Sequence, residues 1–247
     1  MKKIFLSAIA LLCFMAGTQA QFTTAGKIEF ERRVNIYAQM AEMENNDWFE
    51  KLKSKIPKFS SSYFDLVFDT ARSIYKPGRV VEENSLLKMF GGGPAMENVV
   101  YTDFNTQKVT ANKKVYEQKF LVLDTMRKMD WVIKDEIRTI ANYKCRKAVG
   151  RICDSVYVVA FYTDDIVVNG GPEMFSGLPG MILEIAIPRL HTTWVAEKVE
   201  LLQPVETDFV IPEKGKKTNE KELEETVRSS FKDWGKLAPR NIWWTVL

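Results

Sequence analysis

Residues 26–38 read GKIEFERRVNIYA, in which Ile28 and Phe30, then Val34 and Ile36, alternate with charged or polar neighbours. An extended chain turns successive side chains to opposite faces, so this period of two predicts a half-buried strand. A looser version runs through SSYFDLVFDTARSIYK at Phe64, Val67, Phe68 and Ile74. Further predicted strands are NVVYTDFNTQKVTANKKV, QKFLVLD, MDWVIK, KCRKAV, DSVYVVAFYT, MILEIAI and HTTWVAEKVELL. Short polar turns such as FNTQ join most of them, which favours antiparallel pairing of consecutive strands. YTDFNTQKVTANKK reads as a hairpin that carries its charges outward.

Two segments break the alternation. MAEMENNDWFEKLKSKI spaces Met40, Met43, Trp48, Phe49 and Leu52 near a helical period, predicting a short amphipathic helix or an ordered insertion after the first strand. Residues 38–56 are thereby a candidate lid. NEKELEETVRSSFKDWGKL opens on Asn219 as an N-cap, sets Leu223, Val227, Phe231 and Trp234 on one face, and stops near Gly235. The expected fold is mainly β (α+β). It is an antiparallel meander forming a curved sheet or half-open barrel, with one helix inserted near the N-terminus and a C-terminal helix packing on it. The aromatic end NIWWTVL should either dock on this body or present itself to a partner.

Residues 1–20 have the order of an export signal: Lys2 and Lys3, the apolar run IFLSAIALLCFMAG, and a small residue at Ala20. Leu12 before Cys13 lacks the small side chain a lipobox requires. Cleavage after Ala20 leaves residues 21–247, expected as one β-rich domain because no Ser/Gly/Pro-rich linker divides them. The apolar run is too short to span a bilayer, and no later stretch approaches ~20 continuous apolar residues. These features predict a periplasmic or cell-envelope protein that does not cross the membrane. Losing Lys2 and Lys3 takes the formal charge from +3 to +1, which gives no support to nucleic-acid binding.

Of three cysteines, Cys145 and Cys153 remain after cleavage. Val149-Gly150-Arg151 reads as a hairpin turn, and a register centred on Val149 sets the two cysteines opposite each other. An oxidising compartment then permits a disulfide, the alternative being two buried free thiols. With His191 as the lone histidine, two cysteines cannot fill a tetrahedral metal site.

The stretch GGPEMFSGLPGMILEI, residues 170–185, is unusually rich in small and cyclic residues. Gly170-Gly171-Pro172 suits a sharp reversal, with glycine supplying positive φ and proline fixing its own. Gly177-Leu178-Pro179-Gly180 fits a type II turn, with Phe175 and Leu178 pointing inward as anchors. Two roles follow. Such a rigid loop plugs the end of the sheet, or it forms the lip of an apolar pocket or docking surface. In the second role Pro172, Phe175, Leu178, Pro179, Met181 and Glu184 are the contact residues. A strand follows the loop where a phosphate cradle would want a helix N-terminus.

From Trp131 through Tyr143-Lys144-Cys145, Lys147-Ala148, Phe161-Tyr162-Thr163, Gly171-Pro172, Phe175 and Gly177-Leu178-Pro179-Gly180, the chain resembles the GLPGLI family. These are exported proteins typical of Bacteroidetes, without an established activity. The resemblance implies an outer-membrane TonB-dependent receptor as a partner class. Met181-Ile182 stands where Leu-Ile is common, a swap that conserves volume, and Phe161 stands where Trp is usual. Cys153 is not a general family feature, so the resemblance does not imply the disulfide.

Catalytic residues are sparse. His191 has no serine elbow near it in sequence, a Cys145–His191 thiol pair requires an uncrosslinked cysteine, and the carboxylates Asp164-Asp165 or Glu173 with Glu184 suit solvated surface. Met40-x-x-Met43 and Met126-x-x-Met129 have a spacing that can ligate Cu(I), although such pairs commonly fill core gaps. The expected function is a non-enzymatic envelope protein that binds a partner protein or apolar ligand, without cofactor or metal. The alternatives are a carrier of a lipid or other lipophilic molecule, and a hydrolase using Glu184 and His191.

Overall fold

The structure, a computed structural model, describes residues 22–42, 50–51, 53–81, 94–153, 155–235 and 237–247. Its strands are β1 (Gly26–Asn35), β2 (Phe59–Phe68), β3 (Arg72–Pro77), β4 (Val99–Asp103), β5 (Lys108–Val115) and β6 (Gln118–Thr125). They continue with β7 (Val132–Ile140), β8 (Tyr143–Ile152), β9 (Val156–Thr163), β10 (Met181–Ile187), β11 (Thr192–Glu200) and β12 (Lys216–Thr218). The helices are α1 (Ile36–Ala41), α2 (Glu220–Ser230) and α3 (Leu237–Thr245).

The strands form one open sheet in the order β12-β6-β5-β4-β3-β2-β1-β11-β10-β9-β8-β7. Two antiparallel meanders, β1 to β6 and β7 to β11, meet where β1 pairs antiparallel with β11. β12 adds parallel to β6, which makes the sheet mixed. The meander expected from the short turns is therefore present twice.

One face of the sheet lines a single core, built from residues such as Ile28, Phe30, Phe64, Leu66, Phe68 and Trp194. Leu223, Val227 and Phe231 of the α2 region, and Ile242, Trp244, Val246 and Leu247 at the chain end, pack into it. The aromatic tail is docked. A smaller cluster of Val67, Ile74, Tyr101 and Phe209 uses residues of β2 and β3 that alternate with the core-facing ones.

Several local expectations change. β1 stops at Asn35 and not at Ala38, because the Asn35 side chain accepts a hydrogen bond from Ala38 N at 3.1 Å and caps α1. Met43, Trp48, Phe49 and Leu52 of the expected helix lie outside the described residues. α2 opens on Asn219, whose side chain accepts from Glu222 N at 2.9 Å, but ends at Ser230, short of Gly235. Trp234 stays 44% exposed, its ring tilted against that of Phe231.

The turn expected at Val149-Gly150-Arg151 is absent. β8 runs through all three residues, with Gly150 opposite Val158, and the chain turns beyond Ile152. Gly150 is required for contact: a Cβ there would come within 2.9 Å of the Trp131 ring. Cys145 and Cys153 therefore lie near opposite ends of one strand and its turn, and both are free thiols. An extended strand of about eight residues separates its ends by roughly 26 Å, far beyond disulfide reach.

Candidate functional site

The Gly-Pro loop enters the core more than it rims a surface. Pro172, Met174, Phe175, Ser176, Leu178 and Met181 are buried, and Pro179 is exposed. Gly180 N donates to Leu178 O at 2.8 Å, a three-residue γ-turn around Pro179 in place of the type II turn. Gly180 takes φ 143°, and a Cβ there would stand 2.0 Å from Thr163 O, so the position requires glycine on both counts. Gly171 does not supply positive φ; it allows close approach, as its Cβ would meet Ile182 Cβ at 2.9 Å. Trp131 donates its indole N–H to Ser176 O, and Met174 N donates to Leu247 O at 3.1 Å, so the loop is tied on both sides.

The nominated carboxylates occupy different environments. Glu184 on β10 accepts two hydrogen bonds from Arg138 Nη1, at 2.9 and 3.0 Å, while the Arg138 guanidinium lies 3.7 Å from the Phe161 ring centre. Glu184 thus neither faces open solvent nor caps the loop's amides. His191 Nε2 pairs with Glu42 Oε1 at 2.7 Å, whereas the Cys145 thiol donates to Tyr143 O. Burial pushes the Cys145 thiol up to about 12, so it is not a nucleophile at neutral pH. Met126 and Met129 pack against the core, as does Met40 against Ile56, and Met43 lies outside the described residues. Among the described residues no group of three or more His, Cys, Asp or Glu side chains is placed to hold a metal.

A different set of polar residues is brought together. On β1 the inward series Ile28, Phe30, Arg32, Val34 includes a charge, and on β5 the series Val109, Ala111, Lys113 does the same. Arg32 is 1% exposed and Lys113 2%. The hairpin expected to carry its charges outward therefore turns Lys113 inward, while Lys114 pairs with Glu97 on the surface. Arg32 donates to Pro94 O at 2.7 Å and lies between the rings of Phe64 and Trp244. Lys113 Nζ donates to Thr245 O at 3.0 Å.

Glu173, from the Gly-Pro loop, completes the cluster. Its Oε2 accepts from Asn98 Nδ2 at 2.8 Å, and its buried Oε1 has no hydrogen-bond partner among the described residues. It takes φ 53°, a left-handed conformation that costs a non-glycine residue about 1 kcal/mol. Trp194 Nε1 donates to Tyr75 Oη at 3.1 Å beside it. Burial raises the Glu173 carboxyl above its usual range, opposed by the Asn98 hydrogen bond and the Lys113 charge. Burial, then the Arg127 charge, brings Lys113 down to about 8. Tyr75 is pushed well up by burial and by Glu173. Perturbed groups converging beside a hollow mark a functional site more often than chance surface packing does.

The hollow is a cavity of about 460 Å³, with Asn98, Lys113, Trp244 and Thr245 in its wall and Tyr116 and Phe231 also lining it. Tyr116, Phe231 and Trp234 form an edge-packed aromatic trio there. A smaller hollow of about 200 Å³ lies by Ile137, Cys145 and Asp164. Sequence reasoning singled out Glu173 only as half of a carboxylate pair and missed Arg32, Tyr75, Asn98 and Lys113. The available signal was the two cations occupying apolar-phase positions of alternating strands.

A family model described as a protein of unknown function (Porph_ging) matches residues 150–184. No curated protein matches the chain. Among solved structures, PNGF-II in a C2 crystal form is similar over 90% of this chain and 33% of its own, at 14% identity and TM-score 0.51. PNGF-II in a P21 form is similar over 82% of this chain and 33% of its own, at 13% identity and TM-score 0.53. An uncharacterized conserved protein from Thermus thermophilus aligns with 86% of this chain and 99% of its own at 8% identity and TM-score 0.40. The chain thus spans about a third of the PNGF-II length, and the likeness is one of fold, a β-rich sheet. The segment matched by the family model is the one that plugs the core and carries Glu173.

Proposed function

We propose that this chain is an exported cell-envelope protein of the GLPGLI kind that acts by binding a small ligand in the cavity beside Lys113. The observation that carries the reading is the cavity's composition: about 460 Å³, with the rings of Trp244 and Phe231 set against the polar groups of Lys113 and Asn98 and the charged Glu97, Lys114 and Glu117. Small-molecule sites have this size and set orienting polar groups against aromatic walls. A ligand with an apolar body and one polar end suits it, which moves the lipophilic-carrier reading from the loop to the cavity. The Gly-Pro loop then serves as the support that holds Glu173 in place. The signal-like residues 1–20 support export.

Native mass spectrometry of protein purified from its own envelope tests the reading, with Val115→Trp as the variant that fills the cavity. A small molecule carried by the wild type and lost in Val115→Trp is expected. A wild type that carries none, and gains no thermal stability from amphipathic compounds, overturns it.

A second reading, a partner protein, is favoured by the free edge of the sheet. β7 is exposed along Val132–Thr139, including the apolar Val132, Ile133 and Ile137, and is bulged between Ile133 and Ile137. An unpaired strand edge is a template for a partner's strand. The outer-membrane TonB-dependent receptors implied by the family resemblance are the partner class. Pull-down from envelope extract with an Ile133→Lys, Ile137→Lys variant should lose the receptor; recovery of the same receptor by both proteins ends this reading.

A further inference from the structure

A buried cation stands in the cavity wall with no anion bonded to it among the described residues. Lys113 is 2% exposed, and its Nζ makes one hydrogen bond, to Thr245 O, out of the three it can donate. Lys113 and Thr245 both line the cavity, which sets this bond at its wall. Lysines this buried are ordinarily paired, because an ammonium taken out of water needs an anion in its place. The nearby acids are engaged elsewhere. Glu220 is bonded to Arg127, whose charge opposes that of Lys113. Glu173 lies outside the wall and is bonded to Asn98, and burial drives its carboxyl toward the neutral form. In the wall, Glu97 is shared by Lys114 at 2.8 Å and Lys119 at 3.2 Å, and Glu117 is exposed. Arg127 Nε and Nη1 are also buried without a hydrogen-bond partner among the described residues, so the excess buried charge here is positive.

We propose, on the reading that this cavity is the ligand site, that it takes a hydrophobic carboxylate whose head pairs with Lys113 and whose body packs on Trp244, Phe231 and Tyr116. Lys113 has two N–H groups left to donate, and a carboxylate accepts them as charge-assisted bonds. Burial, then the Arg127 charge, brings the Lys113 ammonium down to about 8, so it still carries its charge at neutral pH. One cation balances one negative charge. A phosphate monoester carries about −1.5 to −2 at neutral pH and would leave charge unbalanced in the same place. An alkyl ammonium is repelled by Lys113, and an alcohol leaves the buried charge unpaired. Lys114 is a poorer anchor, being exposed and already held by Glu97. The rings select the other end of the ligand: Trp244 and Phe231 are buried, and Tyr116 packs edge-on against Phe231.

Isothermal titration calorimetry of the chain from Gln21 onward at neutral pH, comparing decanoate, decanol, decylamine and decyl phosphate, tests this. Decanoate should bind about tenfold or more tighter than decanol, the worth of one hydrogen bond to a charged group. It should also bind more tightly than decylamine and decyl phosphate. In Lys113→Met the preference for decanoate over decanol should vanish. In the wild type the Lys113 side-chain NMR signal should move on addition of decanoate, a readout that does not depend on a variant folding. A signal that stays in place, or any of the other three compounds binding as tightly as decanoate, overturns the proposal. So does a preference that survives Lys113→Met and is lost in Lys114→Met. If decanol binds as well as decanoate, the cavity remains a ligand site without a preference for anions; if none of the four binds, both readings fall.

Discussion

Trp131 donates its indole N–H to the carbonyl oxygen of Ser176 at 2.9 Å and lays its ring where a side chain on Gly150 would stand. One residue thus joins the approach to β7, the C-terminal part of β8 and the Gly-Pro loop. Trp131→Phe removes the donor and keeps most of the packing, so it should cost about 1 kcal/mol. Gly150→Ala forces the ring away and should cost about 1–3 kcal/mol. Because the two share one contact, the double variant should cost less than the sum in urea unfolding. Simple additivity would mean that the ring does not rest on Gly150.

Two glycines of the same loop should respond very differently to alanine. At Gly180 the new Cβ would lie 2.0 Å from Thr163 O, at φ 143°, and β9 and β10 would have to part; a loss above about 4 kcal/mol is expected. At Gly177, with φ 89°, the nearest atom is 3.8 Å away, so only backbone strain of about 1–2 kcal/mol applies. Thermal unfolding of both variants checks the order, and equal losses would contradict it.

Lys113 and Glu173 make stability depend on pH in opposite senses. Lys113 falls from its ordinary 10.5 to about 8, so between those values the unfolded chain holds a proton that the folded chain has lost. Relative to Lys113→Met, wild-type stability should rise over that window by up to about 1.4 kcal/mol per pH unit and be flat below it. Glu173 is raised from 4.5, so the folded chain holds the extra proton above that pH. Relative to Glu173→Gln, stability should fall as pH rises through the folded value and then level off. Urea unfolding of the three proteins across acid to alkaline pH measures both, and superimposable wild-type and Lys113→Met profiles above pH 8 would refute the first.

The cysteines should behave as two separate thiols. Burial pushes Cys145 up to about 12 and Cys153 up to about 11, which suppresses thiolate in the folded state. Iodoacetamide should react slowly with the native chain from Gln21 onward. It should add two groups after denaturation without reductant. A chain that takes up none until reduced would carry the disulfide that β8 keeps apart.

Most of the sheet was legible in the sequence because alternation is local: Ile28 and Phe30 show their face of β1 without reference to any partner strand. The Asn219 cap was legible for the same reason. The Gly150 turn was misread because glycine serves both reversal and close approach, and only the position of Trp131 distinguishes them. The inward phase of Lys113 was present in Val109, Ala111, Lys113, yet lysine's usual preference for water outweighed it.

By itself the sequence determined the strand content, the main helix cap and the inward anchoring of Phe175 and Leu178, and it left the aromatic tail either docked or presented to a partner. These follow from periodicity, capping and turn chemistry, which act over a few residues. Only the tertiary structure decided that β1 pairs with β11, that the tail docks on the core, that Lys113, Asn98 and Thr245 meet at one cavity, and that Asn98 also reaches Glu173. Lys113 and Thr245 are 132 residues apart, and such a contact depends on strand order and on the path of the covering helices, which no local pattern encodes.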